Sequence, residues 1–126
     1  MYRYVHFRGH YVPLIPVGIK GLTHWYRVWA YADSGAAYSL FDDSVARLLG
    51  IDWRSGQPLA AVTAAGAVID FYLHPVTLQI RRARINMDVG FSTGLRVGFN
   101  LLGLDLFDQF KQVIFDSHNR RVLFKT

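Results

Sequence analysis

The sequence predicts a mostly β chain with two short helices, and three observations predict it. All nine acidic residues are aspartates and glutamate is absent, which removes a residue that solvent-facing helices commonly carry. The apolar runs are short, rich in aromatic and β-branched residues, and bounded by Gly, Pro, Asn or Asp turn signals. Only two stretches, 42–51 and 105–110, carry a helix-like pattern.

At 126 residues the chain is expected to form one domain over 1–126, large enough to bury a core without staples. Hydrophobic residues make up 52% and charged residues 18%, a globular balance rather than a disordered one. That apolar surplus in a small domain suits a buried partner surface. Cysteine is absent, which excludes disulfides and thiolate metal sites. The net charge is +5, and a basic excess can attract nucleic acid or acidic lipid. The basic residues are scattered, however, apart from Arg81-Arg82-Ala83-Arg84 and Arg120-Arg121. Both groups fall in expected hairpin turns, where solvation explains them better. No apolar run is long enough for a helical membrane span. The first ten residues are aromatic and basic, without the apolar core of a signal peptide. A cytoplasmic protein is expected.

Taken in order, 2–7 and 11–19 read as strands split by Arg8-Gly9-His10, with Pro13 and Pro16 demoting the second to an edge or irregular strand. His6 and His10 have helical spacing, but strand-like surroundings and the lack of a third ligand argue against a metal there. After the Lys20-Gly21 turn signal, 24–32 is an aromatic-rich strand that ends at Asp33. The run Tyr38-Ser39-Leu40-Phe41 is a short apolar segment. Asp42 and Asp43 then open a helix that Gly50 stops. Segments 57–61 and 67–73 are strands flanking Val62-Thr63-Ala64-Ala65-Gly66, a hairpin tip of small residues. His74-Pro75 breaks that run, and 76–80 pairs with 85–91 across the arginine-rich turn. Residues 92–98 form a loop, Asn100-Leu101-Leu102 a strand into Gly103, and 105–110 a short helix capped by Asp105. A last hairpin joins 112–115 to 121–125.

The chemistry concentrates at Asp33-Ser34-Gly35. A strand delivers a carboxylate able to move protons, a hydroxyl able to hydrogen-bond beside it, and a glycine that lets backbone approach closely. By itself the tripeptide is better explained as an ordinary strand-ending turn. A second stretch, Phe99-Asn100-Leu101-Leu102-Gly103-Leu104-Asp105, changes the balance. An apolar strand into Asp-Ser-Gly-Ala, followed much later by an apolar pair, Gly, any residue, Asp and a short helix, resembles the retropepsin-like aspartic proteases. The resemblance spans about residues 11–125 and points to the bacterial or cellular single-domain branch.

The resemblance implies an all-β, closed-barrel-like retropepsin fold, one lobe per chain, with one or two short helices. It implies Asp33, Ser34 and Gly35 as catalytic residues, with Ser34 bracing the site across a dimer axis. Ala36, Ala37, Val62, Thr63, Ala64, Ala65 and Gly66 would contact an extended peptide, the last five as a flap that closes over it. Gly103 and Asp105 would be structural. Many viral members carry an ion pair formed by an aspartate after Gly-Ala and an arginine after the motif glycine. Ala37 and Leu104 occupy those positions, so both partners are missing together. Peptide hydrolysis without metal or covalent nucleophile needs two carboxylates sharing one proton, and a single Asp-Ser-Gly supplies one. The expected protein is therefore a homodimeric aspartic endopeptidase needing no cofactor and no metal. Its partners would be a second copy and a peptide or protein substrate, with no nucleic acid and no membrane. A protease-fold module that binds peptides without cutting is the alternative, and a small basic nucleic-acid-binding barrel is a third reading.

Overall fold

The computed structural model of the chain describes residues 1–62, 66–95 and 99–126. The first strands are β1 (Tyr2–Arg3), β2 (Val5–Phe7), β3 (His10–Val12), β4 (Leu14–Lys20) and β5 (Trp25–Ala32). Next come β6 (Leu40–Asp42), α1 (Asp43–Leu49), a 3-10 turn at Trp53–Ser55, and β7 (Gln57–Val62). The long hairpin of β8 (Val68–Ile80) and β9 (Ala83–Ser92) leads to β10 (Asn100–Leu102) and α2 (Leu104–Phe107). The chain closes with β11 (Gln112–Asp116) and β12 (Arg121–Lys125).

The main sheet runs β4-β5-β10-β6-β9-β8-β7, and a further pairing of β4 with β8 closes it into a ring with β7 outside. Closure buries the inner face: Ile15, Val17, Ile19, Phe41, Leu78, Ile80, Val89, Phe91 and Leu102 form one core. A second sheet, β1-β12-β11, joins the two ends of the chain. It reaches the core through the fully buried Val122, while Phe124 meets Phe110 and Phe107 with ring centroids 5.1 and 6.3 Å apart. Among the described residues no helix is long and apolar enough to cross a membrane.

Of the three prolines in the main sheet, Pro58 lies in the terminal strand β7 and pairs with Tyr72 of β8, while Pro16 and Pro75 sit where a ladder has a gap. β8 reaches only Gly18 and Ile19 of β4, so Pro16 has a partner on one side alone, as expected of an edge position. His74-Pro75, expected to break the chain, lies inside β8 instead. There Pro75 pairs with Asp88 of β9. On its other side β7 stops at Leu73 and β4 begins at Leu78, so the missing proline N–H costs no ladder bond.

Helix α1 follows its sequence signals. The Asp42 side chain accepts from the Ser44 N–H, Gly50 ends the helix at φ 72°, and Val45, Ala46 and Leu49 face the core. Arg81 takes φ 55° in the two-residue turn between Ile80 and Ala83, and its exposed side chain agrees with a solvated turn.

Candidate active site

β10 runs parallel to β5, with Leu101 beside Tyr31 and Leu102 beside Ala32, so both strands end at the same rim. Asp33 leaves β5 at that rim and its N–H donates to the Leu102 carbonyl (2.9 Å). Gly103 leaves β10 beside it. Two stretches far apart in sequence thus become one pair of adjacent turns.

The Asp33 turn is held by its own backbone. The Gly35 N–H donates to Asp33 Oδ1 (2.8 Å), and the Ala36 N–H to the Asp33 carbonyl (3.2 Å). One carboxylate oxygen is thereby fixed in orientation. Asp33 and Ala36 are half-buried, and Ser34, Gly35 and Ala37 are exposed. The second turn locks onto the first: Leu104 N–H donates to the Ala36 carbonyl (2.8 Å) and Asp105 N–H to the Ala37 carbonyl (3.3 Å). Gly103 has no room for a side chain, since a Cβ would stand 2.7 Å from the Ala36 carbonyl oxygen and from Tyr38 backbone.

Asp105 does not cap α2 as expected. Gly103 is the N-cap residue, and Asp105 lies in the first turn. Its carboxylate is taken by Ser39, whose Oγ–H donates to Oδ1 (2.7 Å) and whose N–H donates to Oδ2 (3.0 Å). The same Ser39 Oγ accepts from the Gly103 N–H (3.0 Å). A fully buried hydroxyl thus clamps the Asp33 loop to the Gly103 turn. The clamp sits close to Ala37 and Leu104, where an ion pair is absent.

Asn100 ties the strands together one layer below. Its Nδ2 donates to the Trp29 carbonyl and its Oδ1 accepts from the Asp42 N–H, both at 2.8 Å. Sequence reasoning missed Ser39 and Asn100. The available signal was a lone polar residue beside an apolar run in each case, at positions where a buried polar group needs a partner.

The hairpin expected to cover the site is formed by β7 and β8, with Val62 opposite Val68. Val62 and Val68 are 73% and 63% exposed, and Gly66 takes φ 82°. Thr63, Ala64 and Ala65, the center of the expected flap, lie outside the described residues. The Tyr38 ring, from the Asp33 loop, stands 5.1 Å from Phe71 of β8 and links the two. Among the described residues, no group of three or more His, Cys, Asp or Glu could hold a metal ion. A recess of about 610 Å³ between Leu22, Leu49 and Met87 is lined by none of the candidate residues.

Solved structures share this fold. The chain aligns with a retropepsin-like aspartic protease from Rickettsia conorii at TM-score 0.70 and 18% identity, over 93% of this chain and 84% of that one. The chain has the retropepsin-like fold. The EIAV protease, solved with the inhibitor HBY-793, aligns at TM-score 0.64 and 18% identity, over 83% of this chain and 93% of that one. The retroviral protease-like domain of Ddi1 from Leishmania major aligns at TM-score 0.62 and 18% identity, over 90% of this chain and 87% of that one. No protein-family model and no curated protein matches the sequence. The retropepsin-like fold is thus carried here on a sequence far diverged from these three structures.

Proposed function

We propose that the protein is an aspartic endopeptidase whose active site forms at a homodimer two-fold axis, with Asp33 from each subunit activating a water. The observation that carries this is the Asp33 turn itself. It presents a half-buried carboxylate with one oxygen fixed by the Gly35 amide, at the joined ends of β5 and β10, in a fold shared with solved proteases of this chemistry. Two such carboxylates brought within hydrogen-bonding distance cannot both ionise, so they share a proton and titrate as a pair. One then takes a proton from water while the other protonates the scissile carbonyl oxygen. Ser34, exposed beside Asp33, braces the axis, and Gly35, Ala36 and Ala37 bind the extended peptide backbone. The segment from Val62 to Gly66 closes over the peptide.

The test is cleavage of a mixed peptide library near about pH 5, where a pair sharing one proton is populated, by the native protein and by Asp33→Asn. Cleavage by the native protein alone is expected. Equal cleavage by both would remove Asp33 from the mechanism. No cleavage by either, with dimers present in sedimentation, would turn the reading to a module that binds peptides without cutting them.

A further inference from the structure

The outside of the closed sheet carries a row of side chains that strand register brings together. Ile15, Val17 and Ile19 fill the core, so Gly18 and Lys20 of β4 face outward. Gly18 pairs with Arg27 of β5 on one side and with Gln79 of β8 on the other. Gln79 pairs in turn with Arg84 of β9. Arg27, Gly18, Gln79 and Arg84 therefore share one face and one row. Trp25 and Trp29 flank Arg27 on that face, two residues to either side and about 13 Å apart along the strand. Gly18 leaves space that Trp25 uses: a Cβ there would stand 3.6 Å from the Trp25 ring and 3.1 Å from Gln79 Cβ. The Arg84 guanidinium lies 5.0 Å from the Trp25 ring centroid. Trp25 remains 38% exposed and Trp29 is 54% exposed, a large open ring area for one sheet face.

Nucleic acid is not expected from the sequence, where the cations lie scattered, but folding gathers five of them here. Residues 14–32 and 71–87 contain Lys20, Arg27, Arg81, Arg82 and Arg84 and no acidic residue. Lys20 pairs with Trp25 across the strands. The Gln79 side-chain amide donates to the Arg81 carbonyl (2.9 Å), which ties the arginine turn to the edge of this face. All five cations are exposed, and among the described residues none of the five belongs to an ion pair.

We propose that this face binds single-stranded nucleic acid without sequence preference. Trp29 and Trp25 are stacking surfaces for unpaired bases, and Arg27, Arg84, Lys20 and the arginine turn hold phosphates. Ring and cation alternate along β5 as base and phosphate alternate along an extended strand. A duplex keeps its base faces stacked on one another and offers none to the rings. A lipid surface would call for an unbroken apolar patch, and Arg27 and Gln79 interrupt this one. None of these residues belongs to the candidate active site, so the inference does not rest on the peptidase reading.

The test is fluorescence anisotropy of a labelled oligo-dT strand of about 15 nucleotides, titrated with the native protein between about 50 and about 200 mM salt. A duplex of the same length and vesicles of phosphatidylcholine and phosphatidylserine are the competitors. The strand should bind, and neither competitor should displace it at equal phosphate. Trp29→Ala should weaken binding about tenfold through lost stacking, while Trp29→Phe, which keeps a ring, should restore most of it. Arg27→Gln and Arg84→Gln should each lower the slope of log affinity against log salt by about 0.7. Lys111→Gln, which removes a charge from outside this face, should leave that slope alone. Thermal midpoints taken alongside show which variants are folded, and the two arginine variants decide the matter should Trp29→Ala unfold. The face is overturned if the native protein does not bind the strand, or if duplex or vesicles compete equally. It is overturned equally if Lys111→Gln acts as Arg27→Gln does, since net charge alone would then explain the binding.

Discussion

Ser39 shows how one side chain can organise a site it does not enter. Its hydroxyl donates to Asp105 Oδ1, which the Leu106 N–H also reaches, and accepts from the Gly103 amide, so Ser39→Ala strands the buried Gly103 amide and removes one of two donors from that carboxylate oxygen. Such a loss costs about 1–3 kcal/mol, and urea unfolding of Ser39→Ala should give a value in that range. Gly103 is constrained differently, because the atoms around it are backbone and cannot swing aside. Gly103→Ala should destabilise by about 1–3 kcal/mol through overpacking, measured by the same unfolding. It should also lower peptide cleavage more than Ser39→Ala does, since the displaced atoms belong to Ala36 and Tyr38. Asp33 was legible as the candidate carboxylate because a strand ran straight into it. Ser39 was not, because its partners lie 64 and 66 residues away.

Among the elements, the β11–β12 hairpin carries a titratable lock. The side-chain and main-chain amides of Asn119 both donate to Asp116, and Arg121 adds its guanidinium. The Asn119 side-chain bond first, with the others behind it, holds the Asp116 carboxyl below its ordinary value. A carboxylate with a lower pKa folded than unfolded stabilises the fold above its unfolded pKa. That contribution is lost as pH falls through the folded value. Thermal midpoints followed from about pH 5 to about pH 2 should therefore fall more steeply for the native protein than for Asp116→Asn. The difference should shrink in high salt, because this turn is open to solvent. Helix α1 and this hairpin were readable in the sequence because their signals are local: caps for the helix, a polar turn between apolar runs for the hairpin. The continuity of β8 was not, since only the gap between β7 and β4 makes Pro75 harmless there.

At the scale of the whole molecule, one chain contributes one Asp-Ser-Gly turn, and the proposed chemistry needs two. Cleavage rate should therefore rise with the square of protein concentration below the dimer dissociation constant and linearly above it, with sedimentation giving the same constant. A rate linear throughout, from a protein sedimenting as a monomer, would show that one chain suffices. The sequence by itself determined the strand-rich composition, the limits of α1, the two motifs and the single carboxylate turn. Each of these is written in a few adjacent residues through period, capping and turn chemistry. Only the tertiary structure decided that β5 and β10 run parallel and end together and that Ser39 and Asn100 close the site from within. These are contacts between distant segments, chosen by packing and by the need to satisfy buried polar groups, and no local pattern encodes them.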